Sequence, residues 1–253
     1  MEKPIYKQLD ELYKAEWAKI SNDIEPYKDI VSIPFLPTTQ KVGGSEDESW
    51  WTDAKLRVMI FGRETGENYN TPLSQVEGDL FAEACEVYAQ WNSGVVKQNI
   101  EYGFFGAFNY FAKNLPKTAA VMWNNLDLVA VGKKDGSLGK NYQEAYEIQP
   151  KFSTAVLPKM LEILKPHIVI FLTADGSDNE NKNRDAIIKR NFGVNSQQFE
   201  PVDDSIPVTK LMWINGFNKL GTLAYRAKHP CNGLANDVKS AIITDIKENF
   251  KQQ

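Results

Sequence analysis

The sequence predicts an α/β protein, a three-layer α/β/α sandwich built on a mostly parallel sheet. Three observations predict it. Apolar, β-favouring runs alternate with segments of helical periodicity along the chain, and such alternation favours parallel strands joined by covering helices. The run Ile168-Val169-Ile170-Phe171-Leu172 is continuously apolar, the pattern of a strand covered on both faces. Leu234, Val238, Ile242, Ile246 and Phe250 recur every four residues, the stripe of a helix with one buried side.

The elements follow in order. Ile5, Leu9, Leu12, Tyr13, Trp17 and Ile20 fall at three- and four-residue spacings and predict a helix over 3–20. Pro26, Pro34 and Pro37 then break regular structure, so 23–51 reads as an extended wrap. It closes on Trp50-Trp51, of which one is expected to pack inward. A first strand covers 57–62. Val76, Leu80, Ala84, Val87 and Trp91 predict a helix over 75–91, and an aromatic stripe predicts another over 99–115, ended by Pro116. Residues 119–123 read as a second strand, and Leu128 to Val131 as extended chain.

The next helix is predicted over 151–164, with Pro158 in its first turns, where proline is tolerated. Lys165-Pro166-His167 leads into the strand 168–172. A polar loop and a short helix bearing Arg184, Lys189 and Arg190 follow. Strands are predicted over 208–214 and 222–225, before the final helix. No repeat or low-complexity linker divides the chain, so one domain over 1–253 is expected, with 1–51 as a helix and wrap and 55–250 as the core.

Composition narrows the function classes. A net charge of −4 argues against nucleic-acid binding by bulk electrostatics and would require a local basic face. Two cysteines, Cys85 and Cys231, leave no disulfide framework and suggest a reducing, cytoplasmic setting. Two histidines, His167 and His229, cannot build a His-rich metal site. The N-terminus is charged and unlike a secretory leader, and no apolar run reaches membrane-span length. Phosphate-binding Gly-x-x-x-x-Gly-Lys-Ser/Thr, dinucleotide-binding Gly-x-Gly-x-x-Gly and serine-hydrolase Gly-x-Ser-x-Gly patterns are all missing. No metal or organic cofactor is expected.

Chemistry gathers at three strand ends: Gly62-Arg63-Glu64, Asn124-Asn125 and His229-Pro230. Each alone has an ordinary reading. Strand-Gly-charge is a common surface turn, and a lone His before a helix is commonly a satisfied corner residue. Together, on parallel strands, the ends would converge on one edge of the sheet. A carboxylate positions water or supports a developing cation. An asparagine reads a donor-acceptor edge. A histidine ahead of a helix stays neutral more easily and donates to a departing anion. His167 begins a strand and so belongs to the opposite edge.

These motifs resemble the uracil-DNA glycosylase superfamily, whose first motif is a strand ending Gly-Gln-Asp-Pro and whose last is His-Pro-Ser before a helix. The corresponding segments are Phe61-Gly62-Arg63-Glu64-Thr65 and Lys228-His229-Pro230-Cys231-Asn232-Gly233, with Trp123-Asn124-Asn125-Leu126 between them. The resemblance spans roughly residues 55 to 250. It implies a four-stranded, mostly parallel central sheet and a base-flipping repair hydrolase, a glycosidase that releases uracil or another damaged base from DNA. It implies Glu64 and His229 as catalytic residues, and Gly62, Arg63, Asn124, Asn125, Pro230 and Asn232 as substrate-binding residues. DNA is the implied partner, and a monomer is expected. Glu64 stands where the family has Asp, Thr65-Gly66 where it has Pro-Tyr, and the insert 68–102 is long for the family. Leu234 lies near, but out of register with, the family's apolar wedge. An aromatic at Tyr69 or Phe104 is a candidate base stacker. The alternative is a non-catalytic or differently active member of the fold that binds a nucleotide, nucleic acid or protein.

Overall fold

The computed structural model describes residues 3–63, 71–92, 102–132, 140–176, 184–219 and 221–250. Its class is α/β, with one mixed sheet. The strands are β1 (Leu56–Gly62), β2 (Ala119–Asn125), β3 (Ile168–Ala174), β4 (Phe199–Pro201), β5 (Leu211–Ile214) and β6 (Leu223–Lys228). The helices are α1 (Ile5–Trp17), α2 (Ser21–Ile24), α3 (Ser49–Thr52), α4 (Leu80–Asn92), α5 (Gly103–Asn114), α6 (Lys140–Leu164), α7 (Asp185–Phe192) and α8 (Asn236–Phe250). The sheet has six strands rather than the four expected, in the order β2-β1-β3-β6-β5-β4. β1 pairs with β3 and β3 with β6 in parallel, whereas β5 runs antiparallel to both β6 and β4. β4 has only three residues and ends in proline, too short for a two-residue alternation to register in sequence.

The chain divides into two compact units. The first comprises Met1–Glu48, Arg63–Val96 and Asn124–Leu164. Here α1 packs on α6 through buried Leu9, Tyr13 and Trp17, and Trp17 meets Phe152 edge-to-face at 5.3 Å. Tyr13 donates its hydroxyl to the carbonyl of Pro37 at 2.6 Å, tying the wrap to α1. Glu48 accepts the N–H groups of Ile5 and Tyr6, at 2.9 and 2.7 Å, so a carboxylate closes the positive end of α1. The predicted wrap is therefore not extended throughout, since α2 and a 3-10 turn at Glu25–Tyr27 interrupt it. Leu128 to Val131, expected to be extended, bends at Leu128 and Val129 and forms a single antiparallel bridge at Val131 with Val31. It is held by Phe35 N–H on the Leu128 carbonyl at 2.6 Å and by Leu128 N–H on Ser153 Oγ at 3.0 Å.

α6 is longer than its predicted range, and both Pro150 and Pro158 lie inside it. Each proline withholds a helical N–H. The helix persists because Phe152, Val156, Leu157, Met160, Leu161 and Leu164 are all buried along it. That burial outweighs a local break worth about 3 kcal/mol.

The second unit comprises Ser49–Gly62, Lys97–Trp123 and Lys165–Gln253, and holds the sheet apart from the last two residues of β2. Trp50 and Trp51 lie on a helical turn rather than extended chain, with Trp51 fully buried and Trp50 half-buried. Phe61 of β1 stacks on Phe171 of β3 at 5.2 Å, and Phe192 and Phe217 complete an aromatic core. α8 covers the sheet through Val238, Ile242 and Ile246. Asp245 on α8 accepts from the Tyr225 hydroxyl of β6 and, at 3.3 Å, from Trp213 Nε1 of β5. Leu234 precedes α8 and is half-buried.

Candidate functional site

Within the second unit, the parallel register places Phe61, Phe171 and Arg226 at one level of three adjacent strands. Gly62, Ala174 and Lys228 therefore finish on the same sheet edge, with Lys228 paired to Ala174. Gly62 is buried. His229 follows directly, and its backbone N–H donates to the Ala174 carbonyl, extending the ladder by one bond. His229 then caps the 3-10 turn Pro230–Asn232, because its ring Nδ1 accepts the Cys231 N–H at 3.2 Å. An accepting Nδ1 carries no proton, so the neutral ring carries its proton on Nε2. The Asn232 N–H closes the turn on the His229 carbonyl at 2.8 Å, and Gly233 leaves it at φ 83°, a conformation suited to glycine. His229, Pro230 and Asn232 are half-buried, and Cys231 is exposed.

Lys228 is a cation at this edge that the sequence reading passed over. Its side chain lies against Gly176, just beyond β3. A Cβ built there would stand 2.8 Å from Lys228 Cε and 3.0 Å from Nζ. Gly176, at φ 85°, thus clears the path that Lys228 takes. The available signal was a glycine just after one strand end, beside a lysine at the next.

Arg63, Asn124 and Asn125 belong to the first unit. Arg63 is half-buried, and its carbonyl accepts the Asp127 N–H at 3.0 Å. Asn124 is fully buried, and its carboxamide is engaged internally. Its Oδ1 accepts the Asn125 N–H at 2.8 Å, and its Nδ2 donates to Met160 Sδ at 3.5 Å. Asn125 is 4% exposed. Asp127, 7% exposed, is a buried carboxylate that the sequence reading also missed. Glu64, Thr65, Gly66 and Tyr69 lie outside the described residues. Phe104 is half-buried and packs against Trp123 at 5.5 Å, a core contact.

His167 lies at the start of β3, on the other edge as predicted. Its Nδ1 accepts the Arg57 N–H at 2.9 Å. Burial, and then the Arg57 charge, hold its pKa below the usual histidine value. Among the described residues, no group of three or more His, Cys, Asp or Glu side chains is placed to hold a metal ion, and no helix is long and apolar enough to cross a membrane. No protein-family model, curated protein or solved structure matches the chain.

Proposed function

We propose that the protein is a DNA glycosylase-like enzyme of uracil-DNA glycosylase type, hydrolysing the N-glycosidic bond of uracil or another damaged base. The observation that carries this reading is the imidazole of His229 at the carboxyl edge of the sheet, whose Nδ1 accepts the Cys231 N–H, so that the neutral ring has its proton on Nε2. Such a group suits a base that leaves as an anion. In this reading a water oxygen bonds to C1′, the C1′–N bond breaks, and its electron pair departs with the base. His229 Nε2–H stabilises the resulting negative charge. Glu64 orients the water or supports the sugar cation. Asn125 or Asn124 reads the base edge. Gly62, Arg63, Pro230 and Asn232 shape the surround.

The second reading is a member of the same fold without this activity, binding a nucleotide, nucleic acid or protein. The carboxylate at position 64 and the Thr65-Gly66 pair, which depart from the family's Asp and Pro-Tyr, favour it.

The deciding experiment incubates uracil-containing single- and double-stranded oligonucleotides with wild type, Glu64→Gln and His229→Ala. Abasic product from wild type, lost in both variants, supports the first reading. No product from wild type overturns it. Equal product from all three overturns the residue roles. Asp127→Asn run beside them tests whether the buried carboxylate acts in place of Glu64.

A further inference from the structure

Tyr102 is the most exposed of the large hydrophobic side chains among the described residues, at 83%. It stands at the start of α5 in extended conformation, and its carbonyl accepts the Gly106 N–H at 3.0 Å. The next residue, Gly103, at φ 62°, is so placed that a Cβ there would lie 3.9 Å from Cys231 Sγ. The start of α5 therefore lies against the turn that His229 caps. From there Tyr102, Gly106, Tyr110 and Lys113 follow at spacings of four, four and three, and so share one stripe of the helix. The two tyrosines are about 12 Å apart along the axis, with a flat glycine between them.

Lysines border this stripe. Lys239 of α8 sits over the Tyr110 ring, with Nζ 4.5 Å from its centroid. The Tyr110 hydroxyl and Ser240 Oγ are 3.0 Å apart. α5 carries Lys113 and no carboxylate, and Lys117 follows it. On α8, the Asp237 carboxylate is engaged by the Val238 N–H at 2.9 Å. In a chain of net charge −4, exposed Tyr102 and half-buried Tyr110, bordered by Lys113, Lys117 and Lys239, form a locally lysine-rich face. A protein-docking patch needs contiguous apolar area, whereas this stripe alternates rings with glycine and cations.

We propose that the stripe from Tyr102 to Lys113 is a stacking track for single-stranded nucleic acid, leading toward the His229 turn. Bases stack on Tyr102, and Lys113 and Lys239, the latter seated over Tyr110, meet the phosphates. The proposal rests on the glycosylase reading for its purpose but not for its test.

The test uses the full chain and a fluorescein-labelled oligothymidylate that contains no uracil, followed by anisotropy across a sodium chloride titration. Saturable binding that weakens with salt is expected. Tyr102→Ala should weaken it roughly tenfold, while Tyr102→Phe should bind as wild type. Lys113→Glu should weaken it and lower the salt dependence by about one charge. Absence of binding at low salt overturns the proposal, as does binding that Tyr102→Ala leaves unchanged. Tyr102 is exposed, so loss of fold does not confound the alanine variant, and a thermal melt verifies this. Binding without abasic product from uracil substrates leaves the track standing and removes the glycosylase reading. Product without Tyr102-dependent binding does the reverse.

Discussion

His229 accepts a hydrogen bond on Nδ1 from the backbone N–H of Cys231, at 3.2 Å, and this bond couples the shape of the turn to the tautomer of the ring. The two roles separate by substitution. Asparagine at position 229 offers a side-chain oxygen to the same N–H but has no Nε2–H. His229→Asn is therefore expected to keep the wild-type melting temperature within a few degrees and to lose roughly 100- to 1,000-fold in single-turnover base release. A variant with wild-type release would remove the ring donor from the mechanism.

Arg226 and Asp185 form a buried ion pair on the sheet, with Nε to Oδ1 at 3.1 Å and side chains only 4% and 7% exposed. Arg226 Nη1 also donates to the Val208 carbonyl at 3.0 Å. Burial lowers the Arg226 pKa, with the Asp185 charge opposing it. Removing one partner leaves an uncompensated buried charge. Asp185→Ala should therefore cost about 3–5 kcal/mol in urea unfolding. The double change Arg226→Met with Asp185→Ala should recover much of that loss, which distinguishes desolvation from simple loss of packing.

Much of the architecture was legible because single residues and short runs carried it. Ile168 to Leu172 could only be a covered strand, and His229-Pro230 between a strand and a helical stripe marked a corner with a polar group at an edge. What was not legible depends on partners distant in sequence. Asn124 looked like a base reader until its amide met Met160, 36 residues on. Asp127 carried no local signal, and only its N–H on the Arg63 carbonyl and its buried side chain mark it out. Lys228 stands out only because Gly176 makes room for it. In each case tertiary placement, not local pattern, set the residue's chemistry. The start of α6 was placed too late for a related reason, since the local cost of Pro150 and Pro158 yielded to the buried face of the helix.

The two cysteines differ in environment. Burial, reinforced by Asp10 and Asp79, pushes the Cys85 thiol up to about 12, whereas Cys231 is exposed. The thiolate is the reactive species. A disulfide-exchange reagent at neutral pH is therefore expected to label Cys231 rapidly and Cys85 only after denaturation. Rapid labelling of both in the native protein would contradict the packing of α4.

Glu16 and His167 both contribute to the acid limb of stability. Burial of Glu16 opposes its charge, but Lys159 and Lys19, each 2.7 Å away, more than offset this and hold its carboxyl below the usual value. The unfolded chain then takes up this proton at higher pH than the folded one. The stabilisation is complete above the ordinary glutamate range and is lost as pH falls through the folded value. The stability gap between wild type and Glu16→Gln should thus close on going from neutral to strongly acid pH. His167, also held low, acts in the same direction at higher pH. Its neutral form contributes fully above the ordinary histidine range, and the contribution fades as pH falls below it. His167→Gln should flatten the urea midpoint across that interval.

Gly176 and Lys228 give a test of the edge itself. Alanine at 176 meets two separate penalties, a φ of 85° that L-residues disfavour and a Cβ 2.8 Å from Lys228 Cε. The first is a backbone cost of about 1 kcal/mol, and it persists whatever occupies position 228. The second vanishes when the lysine chain is removed. Gly176→Ala should therefore destabilise the wild type more than it destabilises Lys228→Ala, with the difference in a double-mutant cycle reporting the contact. If the two costs are equal, the lysine swings away at no expense and Gly176 matters only for its backbone. If they differ, the glycine holds a path for the cation, and Gly176→Ala should also perturb any ligand that the Lys228–His229 edge binds.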